Sequence, residues 1–346
     1  MNNAAASKRW QLVSAYSVTH FLVDFACAFL MFRSIAGTRD GYLGVLLYNF
    51  CAFALQMPLG IIADRVNRNV LFAIAGCALV GLAYGLVSIP LLAVLVVGIG
   101  NALFHIGGGI DVLNISEKKL GALGVFVSPG AFGIYYGTML GKGHDFAAII
   151  IPAALLLAAL LLFAVHKAQK GTYPKNAVFS LAGGGRPQVL LAAACLFFVV
   201  ILRSFVGLAM NFSWKGIGCW GTVLLCAVVF GKTVGGFIAD RFGVMKTSVF
   251  SLGLAVLLFL FSYVPLPGVL AVLLLNMTMP LTLWAMARLF PGAKGFAFGL
   301  LTFGLFVGFL PAYLGVTIPG DAGWIFALAA ALSLVILTLG LRRTKP

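Results

Sequence analysis

Along this chain, hydrophobic residues come in long blocks and polar residues in short clusters. A bilayer core takes about 20 residues of helix to cross. Twelve blocks meet that length, near residues 10–32, 41–63, 70–89, 91–114, 121–141, 146–165, 188–212, 217–238, 246–265, 268–290, 294–317 and 322–341. The pattern predicts an all-α integral membrane protein with twelve transmembrane helices. Glycine and proline inside these blocks are no objection, because neighbouring helices re-satisfy the backbone. The spans leave no room for a soluble domain.

The longest polar cluster, HKAQKGTYPKN, starts at His166 and splits the blocks into six and six. The expected organisation is a bundle over 1–165, a cytoplasmic linker over 166–187 and a second bundle over 188–346. One phrase recurs: GIIADRVNRN from Gly60 to Asn69, and GGFIADRFGV from Gly235 to Val244. Each copy follows the second span of its half. An even number of spans separates them, so both loops face the same side. Recurrence at equivalent places points to parallel repeats related about the membrane normal.

Composition sharpens this picture. Hydrophobic residues make up 62% of the chain and charged residues 9%, against about a quarter charged in soluble domains. The net charge of +15 would suit a nucleic-acid partner if it were clustered. Instead it follows topology. If the N-terminus is cytoplasmic, that side carries Lys8, Arg9, Arg65, Arg68, Lys118, Lys119, Lys167, Lys170, Lys175, Arg186, Arg241, Lys246, Arg288, Lys294, Arg342, Arg343 and Lys345. The outer side carries Arg33, Arg39, Lys142 and Lys215. This is the positive-inside bias, and no nucleic-acid partner is expected. The first apolar run is too long for a signal-peptide core and reads as a retained helix. A multi-pass protein of the bacterial inner membrane, both termini cytoplasmic, is the expectation. All six cysteines fall inside apolar spans without a CxxC spacing and read as small buried hydrophobes. Trp10, Trp214, Trp220 and Trp324 fall near span ends, where an interfacial belt is expected.

The repeated phrase resembles the G-x-x-x-D-R-x-G-R-[RK] loop of the major facilitator superfamily. Gly60, Asp64, Arg65 and Arg68 match it, with Asn67 in the place of its second glycine and Asn69 in that of its last basic residue. The second copy keeps Gly236, Asp240, Arg241 and Gly243, with Val244 and Met245 at the last two basic places. The resemblance covers the whole chain. It implies two pseudo-symmetric six-helix bundles, with these loops holding the cytoplasmic gate in one state through the Asp, the facing helices and the Arg partners. Four further stretches resemble the fosmidomycin-resistance-like branch: HFLVD (His20 to Asp24), GIGNALFHIGGG (Gly98 to Gly109), VFVSPGAFGIYYGTMLG (Val125 to Gly141) and FPGAKGFAFGLLTFGLFVG from Phe290. The third is similar to the glycine motif of antiporters, in which glycines permit close helix contact, but has Thr138 where that motif has Pro.

A charge near mid-bilayer costs about 2.5–3.5 kcal/mol on insertion scales, which makes each one a functional candidate. Five stand out: His20, Asp24, His105, Arg203 and Lys232, with Asp111 nearer the cytoplasmic end. His20 and Asp24, four apart, share a helical face and suit proton handling. Asp24 and Arg203 fall at matching depth in repeat-equivalent spans, and the superfamily resemblance implies that both helices line a central cavity, where a pair would be geometrically available. The alternative reading of that pair is a structural ion bridge, and that of His105 is a helix-packing histidine. Lys232 faces the cavity or supports the gate, Asp111 is a candidate gate partner for Arg65, and Asn101, Asn276 and Trp284 are candidate cavity-lining residues. Metal ligation by His20, Asp24 and His105 has no recognised spacing behind it, so neither metal nor cofactor is expected.

These features read together as a secondary transporter working by alternating access. The expected partners are a small-molecule substrate, protons as coupling ion and the lipid bilayer, with a monomer as the working unit. Export of a drug-like or anionic solute, as an antiporter, follows the branch resemblance; proton-coupled import or uniport is the alternative. No Walker A sequence is present, so ATP is not the direct energy source. A membrane-embedded enzyme using His20, His105 and Asp24, or a receptor, would leave the repeated loops unexplained.

Overall fold

The computed structural model describes residues 3–143, 146–169, 173–181, 186–319 and 322–343. Part of the polar linker, including Lys170, and the terminal Lys345 lie outside the described residues. Apolar chain in lipid must satisfy its backbone internally, and helices do this segment by segment. The helices are α1 (Ser7–Ile35), α2 (Gly41–Val66), α3 (Asn69–Leu86), α4 (Pro90–Ile115), α5 (Gly121–Lys142), α6 (Ile150–Ala168), α7 (Pro187–Ala209), α8 (Trp220–Phe242), α9 (Val244–Phe259), α10 (Pro265–Leu289), α11 (Lys294–Tyr313) and α12 (Gly323–Arg343). Eleven are long and apolar enough to cross a membrane, and α9 is a shorter apolar helix of 16 residues.

Several ends differ from expectation, each for a local reason. Helix α9 was expected over 246–265. Instead it ends at Phe259, and Pro265 opens α10 with Val264 extended before it (φ −97°, ψ 136°). Helix α7 stops at Ala209 because Met210 turns extended. Met210–Asn211 then pairs in parallel with Ile318–Pro319, residues expected to lie at or just beyond a span end. Helix α6 starts at Ile150 rather than 146.

Two compact units emerge. The first comprises 1–115, 125–179 and 292–299; the second comprises 116–124, 180–291 and 300–346. In the first, small residues bring helices together. Cβ atoms added at Gly133, Gly137 and Gly141 of α5 would press into the carbonyl oxygens of Phe21, Phe25 and Phe29 in α1. The span-five glycines are therefore a contact face for α1, as small residues are in membrane bundles generally. Gly76, Gly100 and Gly107 do the same between α3 and α4. In the second unit, Gly231 and Gly235 of α8 lie against the carbonyls of Leu273 and Met277 in α10.

Each bundle is also apolar on its outside. On α6, Leu155 and Leu162 are buried while Leu156, Leu157, Leu160 and Phe163 are exposed. An apolar exterior of this kind is matched to lipid rather than water. Trp10 and Trp324 are exposed, whereas Trp214 is buried with its indole N–H donating to the Ser262 carbonyl at 2.8 Å. Of the cysteines, Cys27, Cys51 and Cys77 are buried, but Cys219 is exposed, because it sits just before α8.

Candidate functional site

His20 and Asp24, one turn apart on α1, meet Asn101 and His105, one turn apart on α4. His20 Nε2 lies 3.2 Å from Asp24 Oδ2, and His105 Nε2 lies 3.7 Å from Asp24 Oδ1. The two Nε2 atoms are 3.0 Å apart. Each imidazole is anchored from behind: His20 Nδ1 is 2.7 Å from the Phe126 carbonyl, and His105 Nδ1 is 2.9 Å from the Asn101 carbonyl. A carbonyl only accepts, so both Nδ1 atoms carry the proton and a neutral ring presents a bare Nε2 lone pair. Asn101 Nδ2 donates to Asp24 Oδ1 at 3.0 Å. The result is two imidazole lone pairs and a carboxylate converging in a site with Asp24 7% and His20 5% exposed. His105 keeps 12% of its side chain open.

The arrangement depends on backbone that has no side chain. A Cβ on Gly130 would overlap both Asp24 Oδ2 and His20 Nε2. Phe104 and Phe126 wall the His20 ring, with centroids 6.1 and 5.1 Å away. His20, Asp24, His105 and Asn101 were all legible as candidates. The Phe126 carbonyl and Gly130 were not, since only the packing of α5 on α1 brings them in.

The remaining candidates belong to the second unit. Arg203 of α7 is buried at 7% exposure, and its Nη1 is 3.4 Å from Thr278 Oγ1 and 3.3 Å from Thr282 Oγ1 on α10. Those partners are hydroxyls at long range, not a carboxylate. Asn276 donates its amide to the Val272 carbonyl of its own helix at 2.8 Å. Trp284 lies beside the Leu120, Ala239 and Leu281 cluster, donates to the Glu117 carbonyl at 3.2 Å and is covered by Arg288 at 4.8 Å. Lys232 is half-buried on α8, its carbonyl 2.8 Å from a Cβ added at Gly124.

Both repeated loops cap a helix. Asp64, 4% exposed, accepts the backbone N–H groups of Gly295 at 2.8 Å and Phe296 at 2.9 Å, in the first turn of α11. Asp240 accepts those of Leu120 at 2.6 Å and Gly121 at 3.0 Å, at the start of α5. A helix N-terminus carries unpaired donors and partial positive charge, which is where a carboxylate is stabilised. Gly60 and Gly236 permit the approach: added Cβ atoms would run into the carbonyl oxygens of Gly295 and Leu120 respectively. The arginines take other partners. Arg65 stacks over Phe179 at 4.8 Å and Arg241 over Phe242 at 5.7 Å, while Arg68 is exposed before α3. Asn67, in the place of the motif's glycine, has φ 51°, and Gly243 at the matching position has φ 88°. Asparagine is the side chain that best tolerates this left-handed turn after glycine.

Asp111 is not the partner of Arg65. Its Oδ2 accepts the Tyr16 hydroxyl at 2.7 Å and the Tyr173 hydroxyl, and its Oδ1 accepts Asn69 Nδ2 at 2.7 Å. Burial next to this carboxylate raises the Tyr173 phenol, in the linker, above its ordinary value, so it stays a donor. Asn176 extends the network to Asn69 at 2.8 Å and Asn114 at 2.9 Å, and Lys294 Nζ donates to Asn114 at 2.8 Å. Sequence reading missed these linker contacts because the cluster HKAQKGTYPKN reads as solvated.

No protein-family model matches the chain, and no curated protein matches it in sequence. Solved structures do. The major facilitator transporter FucP in its outward conformation is 16% identical, with 98% of each chain covered and a TM-score of 0.68. A bacterial homologue of the iron transporter ferroportin, in an outward-facing state, is 15% identical over 97% of this chain and 98% of its own, with a TM-score of 0.66. A point variant of the E. coli fucose:proton symporter FucP is 16% identical over 98% of each chain, also at 0.66. The fold is therefore the twelve-helix fold of major facilitator transporters.

Proposed function

We propose that the chain is a secondary transporter working by alternating access, with protons as the coupling ion and the His20–Asp24–His105 cluster as their site. The observation that carries this is the convergence of the two Nε2 atoms and the Asp24 carboxylate, with both Nδ1 atoms held against carbonyl acceptors. One proton placed on either Nε2 satisfies all three groups. Arg203, buried against hydroxyls only at long range, is the group we take for an anionic part of the solute. The bundles at 1–165 and 188–346 are the moving bodies. The direction we take is export of a small drug-like or anionic compound, from the resemblance to the fosmidomycin-resistance-like branch. Import by proton symport is the second reading, favoured by the fold similarity to a fucose:proton symporter.

Purified protein in proteoliposomes, with a pH-sensitive dye trapped inside, tests the reading. Adding solutes from a panel of small anions and drug-like compounds should produce proton movement that Asp24→Asn abolishes. Product formation from any of them in detergent, without a gradient, would favour a membrane-embedded enzyme instead.

A further inference from the structure

We propose that His20, Asp24 and His105 form a binding site for a divalent transition-metal ion, ligated by both Nε2 atoms and the Asp24 carboxylate. The donor atoms of these three residues all lie within 4.8 Å of one another. Ligands at about 2.1 Å from a common ion, at angles of 90–120°, sit roughly 3.0–3.6 Å apart. The two Nε2 atoms, 3.0 Å apart, and His20 Nε2 with Asp24 Oδ2, 3.2 Å apart, fall in that range, while His105 Nε2 approaches the same carboxylate at its other oxygen, Oδ1, at 3.7 Å.

What lies behind the ligands agrees. Metal-binding histidines usually give their other ring N–H to a carbonyl or carboxylate, which fixes the tautomer and aims the lone pair. Both histidines here do so, toward Phe126 and Asn101. Asn101 orients the carboxylate through Oδ1. A second, independent observation is that Asn101 Oδ1, on a residue 2% exposed, has no hydrogen-bond partner. A buried amide oxygen left bare still lacks a donor or a cation.

Two imidazoles with one carboxylate suit zinc, iron, cobalt or manganese, whereas magnesium and calcium prefer all-oxygen sets. Three protein ligands leave a coordination position open. The inference deepens the transport reading and rests on it only for the ion's role, since metal and coupling proton would be alternative occupants of the same lone pairs.

The test is titration of the full-length, detergent-purified protein with cobalt(II), followed by its visible d–d bands. Wild type should give the intense bands of a low-coordinate ion at one equivalent, and so should Cys219→Ser, which removes the exposed thiol. His20→Ala and His105→Ala should lose them, and Asn101→Ala should weaken binding about 10–100-fold as a positioning residue. His105→Cys should keep the ion and add a thiolate-to-cobalt charge-transfer band, a signature that an alanine variant failing to fold cannot imitate. Wild-type protein without these bands, or identical bands in His20→Ala, would overturn the inference. If the bands are absent while solute-linked proton movement persists, the metal site falls and the transport reading stands. Bands that depend on His20 and His105, without any such movement, leave the metal site standing and remove transport.

Discussion

At Gly130 one hydrogen atom decides whether the His20–Asp24 pair has room. A methyl group there would overlap both contacting atoms, well inside van der Waals contact. Gly130→Ala should therefore insert and express normally but abolish solute-linked proton movement, measured in the dye-loaded proteoliposomes. Normal movement in that variant would mean that α5 shifts freely and that the pair tolerates displacement. His20 and Asp24 were legible in sequence because a four-residue spacing puts both on one helical face. His105 was legible only as an expensive polar residue in an apolar run. That it joins the other two depends on how α4 packs against α1, which no spacing within either helix encodes. The tethering of His20 Nδ1 to the Phe126 carbonyl was invisible for the same reason, whereas His105 Nδ1 is held by the Asn101 carbonyl one turn back on its own helix.

For the helices, the two aspartate caps make the sharpest comparison. Both accept a pair of backbone N–H groups, but Asp64 is buried and Asp240 exposed. Losing a charged cap costs about 0.5–2 kcal/mol, toward the upper end where water cannot substitute. Asp64→Asn should slow transport more than Asp240→Asn at equal expression, and equal, near-wild-type rates would reduce both loops to topological anchors. Sequence reading placed the loops correctly by repetition, and Asn67 then explains its own departure from the motif through its positive φ. Of the partners the resemblance implied, the facing helices are found, as helix N-termini, whereas Arg65 and Arg241 stack on Phe179 and Phe242 instead. The linker holds a further test. Tyr173→Phe removes one of three donors to the buried Asp111 carboxylate, which should cost about 1–3 kcal/mol. The expected result is a lowered Tm and faster proteolysis within 166–187; an unchanged Tm would mean that water replaces the phenol.

Over the whole molecule, apolar blocks and polar clusters were enough to predict twelve helices, since a bilayer demands long apolar segments and little else. Helix ends were less legible where a proline or a short strand pairing overrides hydrophobicity, as at Pro265 and Met210. The positive-inside distribution predicts that a cysteine at Arg68 resists an impermeant thiol reagent in intact cells while one at Lys142 reacts. Labelling of both would end the twelve-span topology. The central claim is that the buried cluster on α1 and α4 couples solute movement to cation movement. Its most direct measurement is solute transport in proteoliposomes with and without an imposed pH gradient, comparing wild type with Asp24→Asn. The account predicts that Asp24→Asn loses gradient-driven accumulation yet keeps solute exchange without a gradient, because asparagine mimics a carboxyl that never releases its proton. Wild-type dependence on the gradient in Asp24→Asn would contradict it.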